Sequence, residues 1–480
     1  MNKRTARFLN VWCTVSAALA SAAICSAGDR PEKPNVLFLI SDDLNTSLSG
    51  FGHPQCKTPE LDKLAARGVK FQNMHCQYPV CGASRASIMS GLYPYTNRTM
   101  GNKGTLRGSM PDVFTMSQLF RKNGYYAGRV SKILHMRIPM EIIAGTAECD
   151  DPYSWDEVVN IKAPEQHAPG TSTIWSPKDK GSQTFQGVEA DGDDMVHADG
   201  KAAGHAIEFL KTNKNRPFFL AVGFVRPHVP LVAPRRYFAR YDRDAMQAPQ
   251  VPENDLDDVP QIIRSYKRNS TTYGVTPELH KGLLQAYYAC VSYMDAQVGR
   301  VLKTLEDEGL TDNTIVVFTS DHGYLLGHHH KFQKQHLFEE ATRVPFIVSV
   351  PWMEEQHGEA TNKITELIDL YPTLADLAGL RAPDCLQGTS LKPLLLDPAG
   401  PQWKKELAFT VSRNGGESMR TGRWRFTQWG HGDSGMELYD LQADPGEFVN
   451  QANNPEYAAV LEDMKNRLDA KRRSAGYEAE

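Results

Sequence analysis

The sequence predicts an α/β protein with a central, mostly parallel sheet flanked by helices, and a smaller α+β subdomain at the C-terminus. Continuous apolar runs recur along the chain, as expected of strands that are buried on both faces of a parallel sheet. Helical patterns lie between these runs, which favours alternating strands and helices. After about residue 400 the runs give way to short alternating segments. The apolar runs cover residues 35–40, 125–130, 217–224, 314–319 and 345–350.

Capping signals place two of the helices. Thr58-Pro59-Glu60 combines a cap residue, a first-turn proline and an acid, and Gly68 follows the helical pattern that they open. Thr276-Pro277-Glu278 repeats the same signal before a longer amphipathic pattern. Gly309 is expected to end that second helix.

Two regions depart from the strand–helix alternation. Residues 151–195 are rich in Gly, Pro, Ser and Asp, so we expect a long surface insertion and not another core layer. Beyond residue 400, alternation over 420–429 predicts a strand, 436–441 a second strand, and the pattern 457–468 a final amphipathic helix. We therefore expect a catalytic domain over 28–400 and a C-terminal antiparallel subdomain over 401–480.

The overall charge excludes one class of protein. The 480 residues include 53 Lys and Arg against 57 Asp and Glu, which gives a net charge of −4. This balance argues against a nucleic-acid binder that depends on phosphate contacts. It does not argue against an anion bound in a pocket.

The first residues predict an export signal. A basic start is followed by an apolar run and then by Cys25-Ser26-Ala27, the pattern of a signal peptide cleaved near Ala27. No later stretch is long and apolar enough to cross a membrane. We expect a signal peptide over 1–27 and a periplasmic or secreted protein without a membrane span.

The chemistry-bearing residues follow the predicted strands. Because the carboxyl ends of parallel strands form the binding edge of an open α/β sheet, the residues after each strand are expected to meet. Carboxylates and a histidine in this set predict a metal site, and the cations predict an anionic substrate bound between them and the metal. The set is Asp42 and Asp43, then Lys132 and His135, then Arg226 and His228, then Asp321 and His322.

A further segment carries a family resemblance. Cys81-Gly82-Ala83-Ser84-Arg85, which runs into a short helical pattern before Gly91, resembles the signature of the type I sulfatases. The resemblance extends through nearly the whole mature chain and looks strongest toward the iduronate-2-sulfatase-like branch. The matching blocks are 42–45, 128–132 with His135, 151–155, 218–230, 320–323, Gly327 with His329 and Lys334, 339–345, 369–374 and 419–421.

The resemblance implies an alkaline-phosphatase-like sandwich and a specific mechanism. Cys81 would be converted to formylglycine by a formylglycine-generating maturation enzyme, and its hydrate would attack the sulfur of a sulfate ester. The implied metal is Ca²⁺, held by Asp42, Asp43, position 81, Asp321 and His322, although these donors leave Mg²⁺, Mn²⁺ or Zn²⁺ open. The implied roles are sulfate binding for Arg85, Lys132 and Lys334, general acid for His228 and base for His135.

Some positions depart from the family pattern. Ala83 replaces the commoner proline, which bears on recognition by the maturation enzyme. Phe332 stands where Trp is usual. The run His328-His329-His330 resembles a zinc site, but three adjacent residues rarely converge on one metal, and only His329 matches the motif.

Three functions are open at this stage. The leading hypothesis is hydrolysis of sulfate esters on a carbohydrate, in particular a sulfated poly- or oligosaccharide that contains uronic acid. The alternatives are a phosphoester or phosphonate hydrolase of the same superfamily, and a non-catalytic glycan-binding relative. With Cys81 assigned to formylglycine, the mature chain keeps five other cysteines, so at least one thiol is unpaired if all disulfides are internal.

Overall fold

The computed structural model describes residues 30–179 and 184–478. The predicted signal peptide over 1–27 lies outside the described residues. Among the helices that are described, none has the combination of length and apolar character that a membrane span requires.

The described strands are, in chain order, β1 (Asn35–Asp42), β2 (Val69–His75), β3 (Tyr126–Ser131), β4 (Glu157–Val159), β5 (Gly170–Ile174), β6 (Gln186–Ala190), β7 (Phe218–Pro227), β8 (Leu231–Pro234), β9 (Thr314–Ser320), β10 (Leu325–Leu326), β11 (Phe332–Gln333), β12 (Arg343–Ser349), β13 (Ala360–Glu366), β14 (Leu407–Ser412), β15 (Gly416–Thr421), β16 (Trp424–Trp429) and β17 (Met436–Asp440).

The described α-helices are α1 (Pro59–Ala66), α2 (Cys81–Ser90), α3 (Pro94–Asn97), α4 (Leu106–Ser109), α5 (Met116–Lys122), α6 (Met140–Ala144), α7 (Ala198–Asn213), α8 (Arg235–Phe238), α9 (Gln261–Arg264), α10 (Ser270–Tyr273), α11 (Pro277–Asp307), α12 (Glu339–Thr342), α13 (Leu370–Ala378), α14 (Lys392–Leu396) and α15 (Ala458–Ser474).

The central sheet has eight strands in the order β13-β2-β12-β9-β1-β7-β3-β4. All neighbouring pairs are parallel except those of β12, which runs antiparallel to both β2 and β9. The five predicted apolar runs correspond to β1, β3, β7, β9 and β12. The prediction of a central, mostly parallel sheet is therefore confirmed.

Helices cover both faces of this sheet, and β1 shows why the strand is apolar throughout. Leu37 and Leu39 belong to one core cluster, which also contains residues of α7 and α11. Val36, Phe38 and Ile40 point to the opposite cluster, which is built with α2, α5 and α13. Because successive side chains of a strand alternate between its faces, both layers require apolar residues.

Both predicted helix starts are confirmed, but only one of the two caps is. Helix α11 begins at Pro277, and the Thr276 side chain accepts a hydrogen bond from Leu279 N at 3.3 Å. Helix α1 begins at Pro59, but the Thr58 side chain makes no capping hydrogen bond. Gly309, in the left-handed conformation at φ 66°, follows the end of α11.

The C-terminal part forms a separate antiparallel sheet of four strands, β14-β15-β16-β17. The prediction of one strand over 420–429 was wrong, because Gly422 and Arg423 turn the chain between β15 and β16. Helix α15 packs on this sheet, and its Met464 and Leu468 share a buried cluster with Phe426.

Residues 151–195 are more than a surface insertion, so that prediction was also wrong. Strand β4 extends the edge of the central sheet beside β3, and β5 and β6 form a small sheet with β8. Trp155, Trp175 and Phe185 are buried in the main core clusters. The few apolar residues of this polar segment are thus enough to anchor it.

Candidate active site

The candidate site lies at one edge of the central sheet, where β1 and β9 end side by side. Ser41 and Ser320 are register partners in these two parallel strands. The acidic residues Asp42 and Asp43 come at the end of β1, and Asp321 comes directly after β9. Parallel pairing in this register brings the carboxylates together.

Helix α2 adds the cysteine to the same place. Cys81 is the first residue of α2, and its Sγ lies 3.3 Å from His322 Nε2 and 3.9 Å from Asp43 Oδ1. The side chain is fully buried. The cysteine therefore sits between the two strand ends.

Two overlapping groups of side chains have the spacing of metal ligands. One oxygen, nitrogen or sulfur atom from each of Asp42, Cys81, Asp321 and His322 lies within 4.8 Å of the others. The same holds for Asp43, Cys81 and His228. The structure thus brings together all five of the predicted metal ligands.

The donor set fits a divalent cation. Asp42 Oδ1 and Asp43 Oδ2 are buried, and neither has a hydrogen-bond partner among the described residues. Such carboxylate oxygens are costly unless a cation compensates them. Three carboxylates with one imidazole form a hard, mainly oxygen site, which agrees with Ca²⁺, Mg²⁺ or Mn²⁺ and does not identify the ion.

Arg85 is directed at the carboxylates and at the backbone. Its Nε donates to Asp321 Oδ2 at 2.8 Å, and its Nη2 lies 3.5 Å from Asp42 Oδ1. Its Nη1 donates to the carbonyls of Lys132 and Ile133, and Nη2 also donates to the Ser41 carbonyl. This fully buried guanidinium holds the strand ends in position.

Two lysines bring positive charge to the site. Lys334 Nζ lies 3.3 Å from Cys81 Sγ and donates to Asp43 Oδ1 at 2.6 Å. Lys132 Nζ donates to Asp42 Oδ2. Lys132 is completely buried, whereas Lys334 is only partly buried and so faces the open side of the site.

Two histidines complete the predicted set. His228 Nε2 lies 3.8 Å from Asp43 Oδ2, and Arg226 holds the backbone of this loop by donating to the carbonyls of His228 and Pro230. His135 Nδ1 is buried without a hydrogen-bond partner among the described residues. Arg226 itself pairs with Glu165 and supports the loop instead of facing the site.

Burial and charge set the ionisation of these groups. Burial alone would raise the pKa of Asp42, but Lys132, His228 and Arg85 hold it well below its usual range. Burial, followed by Asp42, raises the pKa of the Cys81 thiol. Burial lowers the pKa of His228 to about 4 and that of His135 to about 3.

Sequence reasoning missed two side chains that support the site. The Tyr287 hydroxyl donates to the Asp43 carbonyl at 2.8 Å, and Asp43 has a left-handed φ of 63°. Ser84 Oγ donates to the Asp321 carbonyl. Ser84 lies inside the cysteine motif, which could have indicated its role, whereas Tyr287 lies in the long helix α11 with no motif around it.

The three adjacent histidines have separate partners. His328 Nδ1 accepts from Leu326 N, His329 Nδ1 lies 3.2 Å from Asp255 Oδ2, and His330 Nε2 contacts the Pro252 carbonyl. His329 also stacks on Phe338, with the ring centroids 3.7 Å apart. The three rings therefore contact different parts of the chain, and only His329 belongs to a group of described residues with the spacing of metal ligands, with Glu340 and Glu447.

The described cysteines are all unbridged. They are Cys56, Cys76, Cys81, Cys149, Cys290 and Cys385.

Comparisons with known proteins agree with the geometry. Residues 34–380 match the family model described as Sulfatase, and residues 327–474 match the C-terminal model of N-sulphoglucosamine sulphohydrolase. A sulfatase of Formosa agariphila is 32% identical, over 90% of this chain and 86% of its own length. Iduronate 2-sulfatase of Homo sapiens is 32% identical, over 77% of this chain and 73% of its own length.

A solved structure shows the same fold. The phosphonate monoester hydrolase of Agrobacterium radiobacter aligns with a TM-score of 0.78 at 24% identity, over 92% of this chain and 96% of that chain. At this identity the likeness concerns the fold. Further structural neighbours include proteins described as sulfatases, and the alkaline-phosphatase-like sandwich that the family resemblance implied is confirmed.

Proposed function

This chain belongs to the sulfatase family and is a sulfuric ester hydrolase, and on that premise we propose that it removes sulfate from a carbohydrate through formylglycine at position 81. The observation that supports this most directly is the position of Cys81. Its Sγ lies within 3.3 Å of both His322 Nε2 and Lys334 Nζ, and within 3.9 Å of Asp43 Oδ1. A nucleophile at this point touches the candidate metal ligands and a cation at once.

The modification and the metal would supply chemistry that the unmodified chain lacks. A hydrated aldehyde at position 81 provides one hydroxyl for attack on sulfur and a second whose deprotonation releases the sulfate. A divalent cation held by Asp42, Asp43, Asp321 and His322 would supply Lewis acidity toward the sulfate oxygens.

The lysines would bind the sulfate group. Lys334 Nζ is partly accessible and lies 3.3 Å from the attacking position, so it can donate to a sulfate oxygen. Lys132 is fully buried against Asp42, where its charge acts over a short distance and is weakly screened. Arg85 has its donors committed to Asp321 and to backbone carbonyls, so we assign it a positioning role.

The histidines would move the protons. His228 is the proposed general acid for the departing sugar hydroxyl, and His135 is the proposed base for the second hydroxyl. Burial keeps the pKa of His228 near 4 in the absence of substrate. Because a bound sulfate is anionic, it favours the protonated imidazole and raises this pKa.

We extend the proposal to the substrate and its compartment. A relative named iduronate 2-sulfatase supports a sulfated sugar with a uronic acid. The N-terminal signal favours a periplasmic or secreted enzyme, and Cys81 requires a formylglycine-generating partner. We also propose that 28–400 and 401–480 are the catalytic and C-terminal units.

One experiment tests the mechanism. The protein is produced in a host that matures sulfatases, and the peptide containing position 81 is analysed by mass spectrometry. We expect the aldehyde or its hydrate, together with hydrolysis of 4-nitrophenyl sulfate that is lost in Cys81→Ala. An unmodified thiol with full activity, or full activity of Cys81→Ala, would refute the mechanism.

The same preparation separates sulfatase from phosphonate hydrolase activity. The shared fold with a phosphonate monoester hydrolase makes this comparison necessary. We expect 4-nitrophenyl sulfate to be turned over faster than the corresponding phosphate and phenylphosphonate esters. Faster turnover of a phosphorus ester would replace the proposed substrate class with the alternative one.

A further inference from the structure

The loop that carries Lys334 also carries a polar residue with contacts to distant parts of the chain. Gln335 follows Lys334, and its backbone N donates to the Pro79 carbonyl at 3.1 Å. Its side-chain Oε1 accepts from the Tyr266 hydroxyl at 2.6 Å and from Arg413 Nη1 at 3.2 Å. Three distant parts of the chain therefore meet one residue away from the sulfate-binding lysine.

Arg413 has unused binding capacity. It is exposed, and Gln335 is the only hydrogen-bond partner of its guanidinium within the described residues. No carboxylate of the described chain forms an ion pair with it. A guanidinium has five N–H donors, so four remain available here. The other arginines near the site differ, because Arg85 and Arg226 are both buried and paired with carboxylates.

The backbone holds Arg413 in place. It lies in the three-residue connection between β14 and β15, whose ends pair through Ser412 and Gly416. Asn414 and Gly415 both have left-handed backbones, with φ of 62° and 67°. A short connection that is closed by a strand pair has few alternative backbone conformations, which fixes the position of the Arg413 backbone.

A second arginine flanks the same group. Arg268 Cζ lies 5.7 Å from the centroid of the Tyr266 ring, and its Nη1 donates to Gln333 Oε1. Arg268 also has no carboxylate partner among the residues described. The rim cluster, defined as Tyr266, Arg268, Gln335 and Arg413, thus carries two positive charges without a compensating acid.

We propose that Arg413, assisted by Arg268, is a specificity-determining residue that binds a second anionic group of the substrate. The group is a carboxylate or a second sulfate on the sugar whose sulfate ester reaches position 81. A guanidinium that has no carboxylate partner among the described residues, and that contacts the residue next to Lys334, offers the two parallel N–H donors that either group accepts. This inference rests on the proposed sulfatase function and adds to it the requirement for two anionic groups.

The test compares Arg413→Ala with the unmodified sequence on matched substrates. One substrate is 4-nitrophenyl sulfate, which has no second anion. The others are a mono-sulfated uronic acid, its carboxyl-reduced form, and a carboxyl-reduced disulfated sugar. We expect the ratio of kcat/KM for a doubly anionic sugar to kcat/KM for 4-nitrophenyl sulfate to fall about ten- to a hundredfold, mainly through KM.

The arms of the test identify the source of the second charge. A fall with the mono-sulfated uronic acid assigns a carboxylate, and a fall with the carboxyl-reduced disulfated sugar assigns a second sulfate. Arg413→Lys keeps the positive charge but loses the two parallel N–H donors, so its ratio of kcat/KM values is expected to lie between those of the wild type and Arg413→Ala. An unchanged ratio on every sugar would overturn the proposal.

A matched control separates this inference from the proposed function. Arg381 is exposed, and within the described part of the chain its one ion-pair partner is the equally exposed Asp384, which is not a residue of the site. Arg381→Ala is expected to leave every ratio unchanged. If the wild-type protein, with the aldehyde at position 81 verified, hydrolyses no sulfate ester, the proposed function is wrong. If the wild-type protein hydrolyses these esters and Arg413→Ala leaves the ratio of kcat/KM values unchanged, only the proposed binding of a second anionic group by Arg413 is wrong.

Discussion

Arg85 Nε donates a hydrogen bond of 2.8 Å to Asp321 Oδ2, and neither side chain is exposed to solvent. This contact joins the first turns of α2 to the end of β9, and it fixes the orientation of a carboxylate that we assign to the metal. A group that holds a metal ligand in its orientation contributes to metal affinity, and its replacement typically lowers that affinity about 10- to 100-fold.

Replacing Arg85 is therefore expected to weaken metal binding. Arg85→Ala leaves Asp321 buried without its cation, at a cost of about 3–5 kcal/mol in unfolding free energy. Arg85→Lys restores the charge but not the contacts to the Lys132 and Ile133 carbonyls. Thermal unfolding of each variant at increasing Ca²⁺ concentrations measures both the metal affinity and the stability of the protein. Wild-type affinity in Arg85→Ala would contradict the positioning role.

Removal of the metal is expected to destabilise the protein. A ligand that binds only the native state adds RT ln(1 + [L]/Kd), which is about 2.7 kcal/mol at a hundredfold excess over Kd. Calorimetry after chelation and after readdition of Ca²⁺, Mg²⁺ or Mn²⁺ ranks the ions. The response should disappear in Asp321→Asn and persist in the exposed control Asp312→Asn. A melting temperature that does not change when the metal is chelated would argue against a bound cation.

Gly223 of β7 is expected to be essential for the position of Lys132. A Cβ at this glycine would lie 1.9 Å from the Lys132 carbonyl oxygen, a distance that only backbone displacement can relieve. Gly223→Ala should therefore lower both turnover of 4-nitrophenyl sulfate and the melting temperature. Gly422→Ala is the control, because no atom lies within 4 Å of its Cβ. Equal activity of the two variants would contradict this expectation.

Glu437 is expected to make stability depend on pH. Burial raises the pKa of this carboxyl from near 4.5 to about 7. Its stabilising contribution is complete below the unfolded pKa, near 4.5, and is lost as the pH rises through about 7. The loss amounts to at most about 3 kcal/mol.

Glu437→Gln imitates the protonated form, which keeps polar contact with Trp429 Nε1 and the Tyr439 hydroxyl. Urea unfolding between pH 5 and pH 8 should therefore show a shallower decline in this variant than in the wild type. If the unfolding free energies of the two proteins decline equally with pH, Glu437 is not the source of the pH dependence.

Much of the central sheet could be predicted from the sequence, because strands such as β1 are buried on both faces and leave an uninterrupted apolar run. Strand β2 gave no such run, since Lys70, Gln72 and Asn73 interrupt it, although it lies inside the sheet. The antiparallel direction of β12 also has no local signal. The direction of a strand depends on the path of the loops that connect it to its neighbours, and the spacing of apolar residues in the sequence does not indicate that path.

The centre of the site was more predictable than its rim. Asp42 and Asp321 each follow an apolar strand, and the rule for strand ends places both at one edge. Gln335 and Arg413 stand in loops that have no periodic pattern and lie in different parts of the chain. Their contact depends on how the C-terminal sheet sits against the loop after β11, so only the three-dimensional structure shows it.

Cys81 is completely buried at the start of α2, and this burial bears on whether its proposed modification comes before or after folding. In the folded chain His322 and Lys334 both lie 3.3 Å from this thiol, so the proposed maturation enzyme would need to act before these side chains are in place. The proposed oxidation to an aldehyde therefore competes kinetically with folding. On this proposal, a chain that folds before the modification would lack the nucleophile, and the yield of active enzyme would depend on the ratio of the two rates.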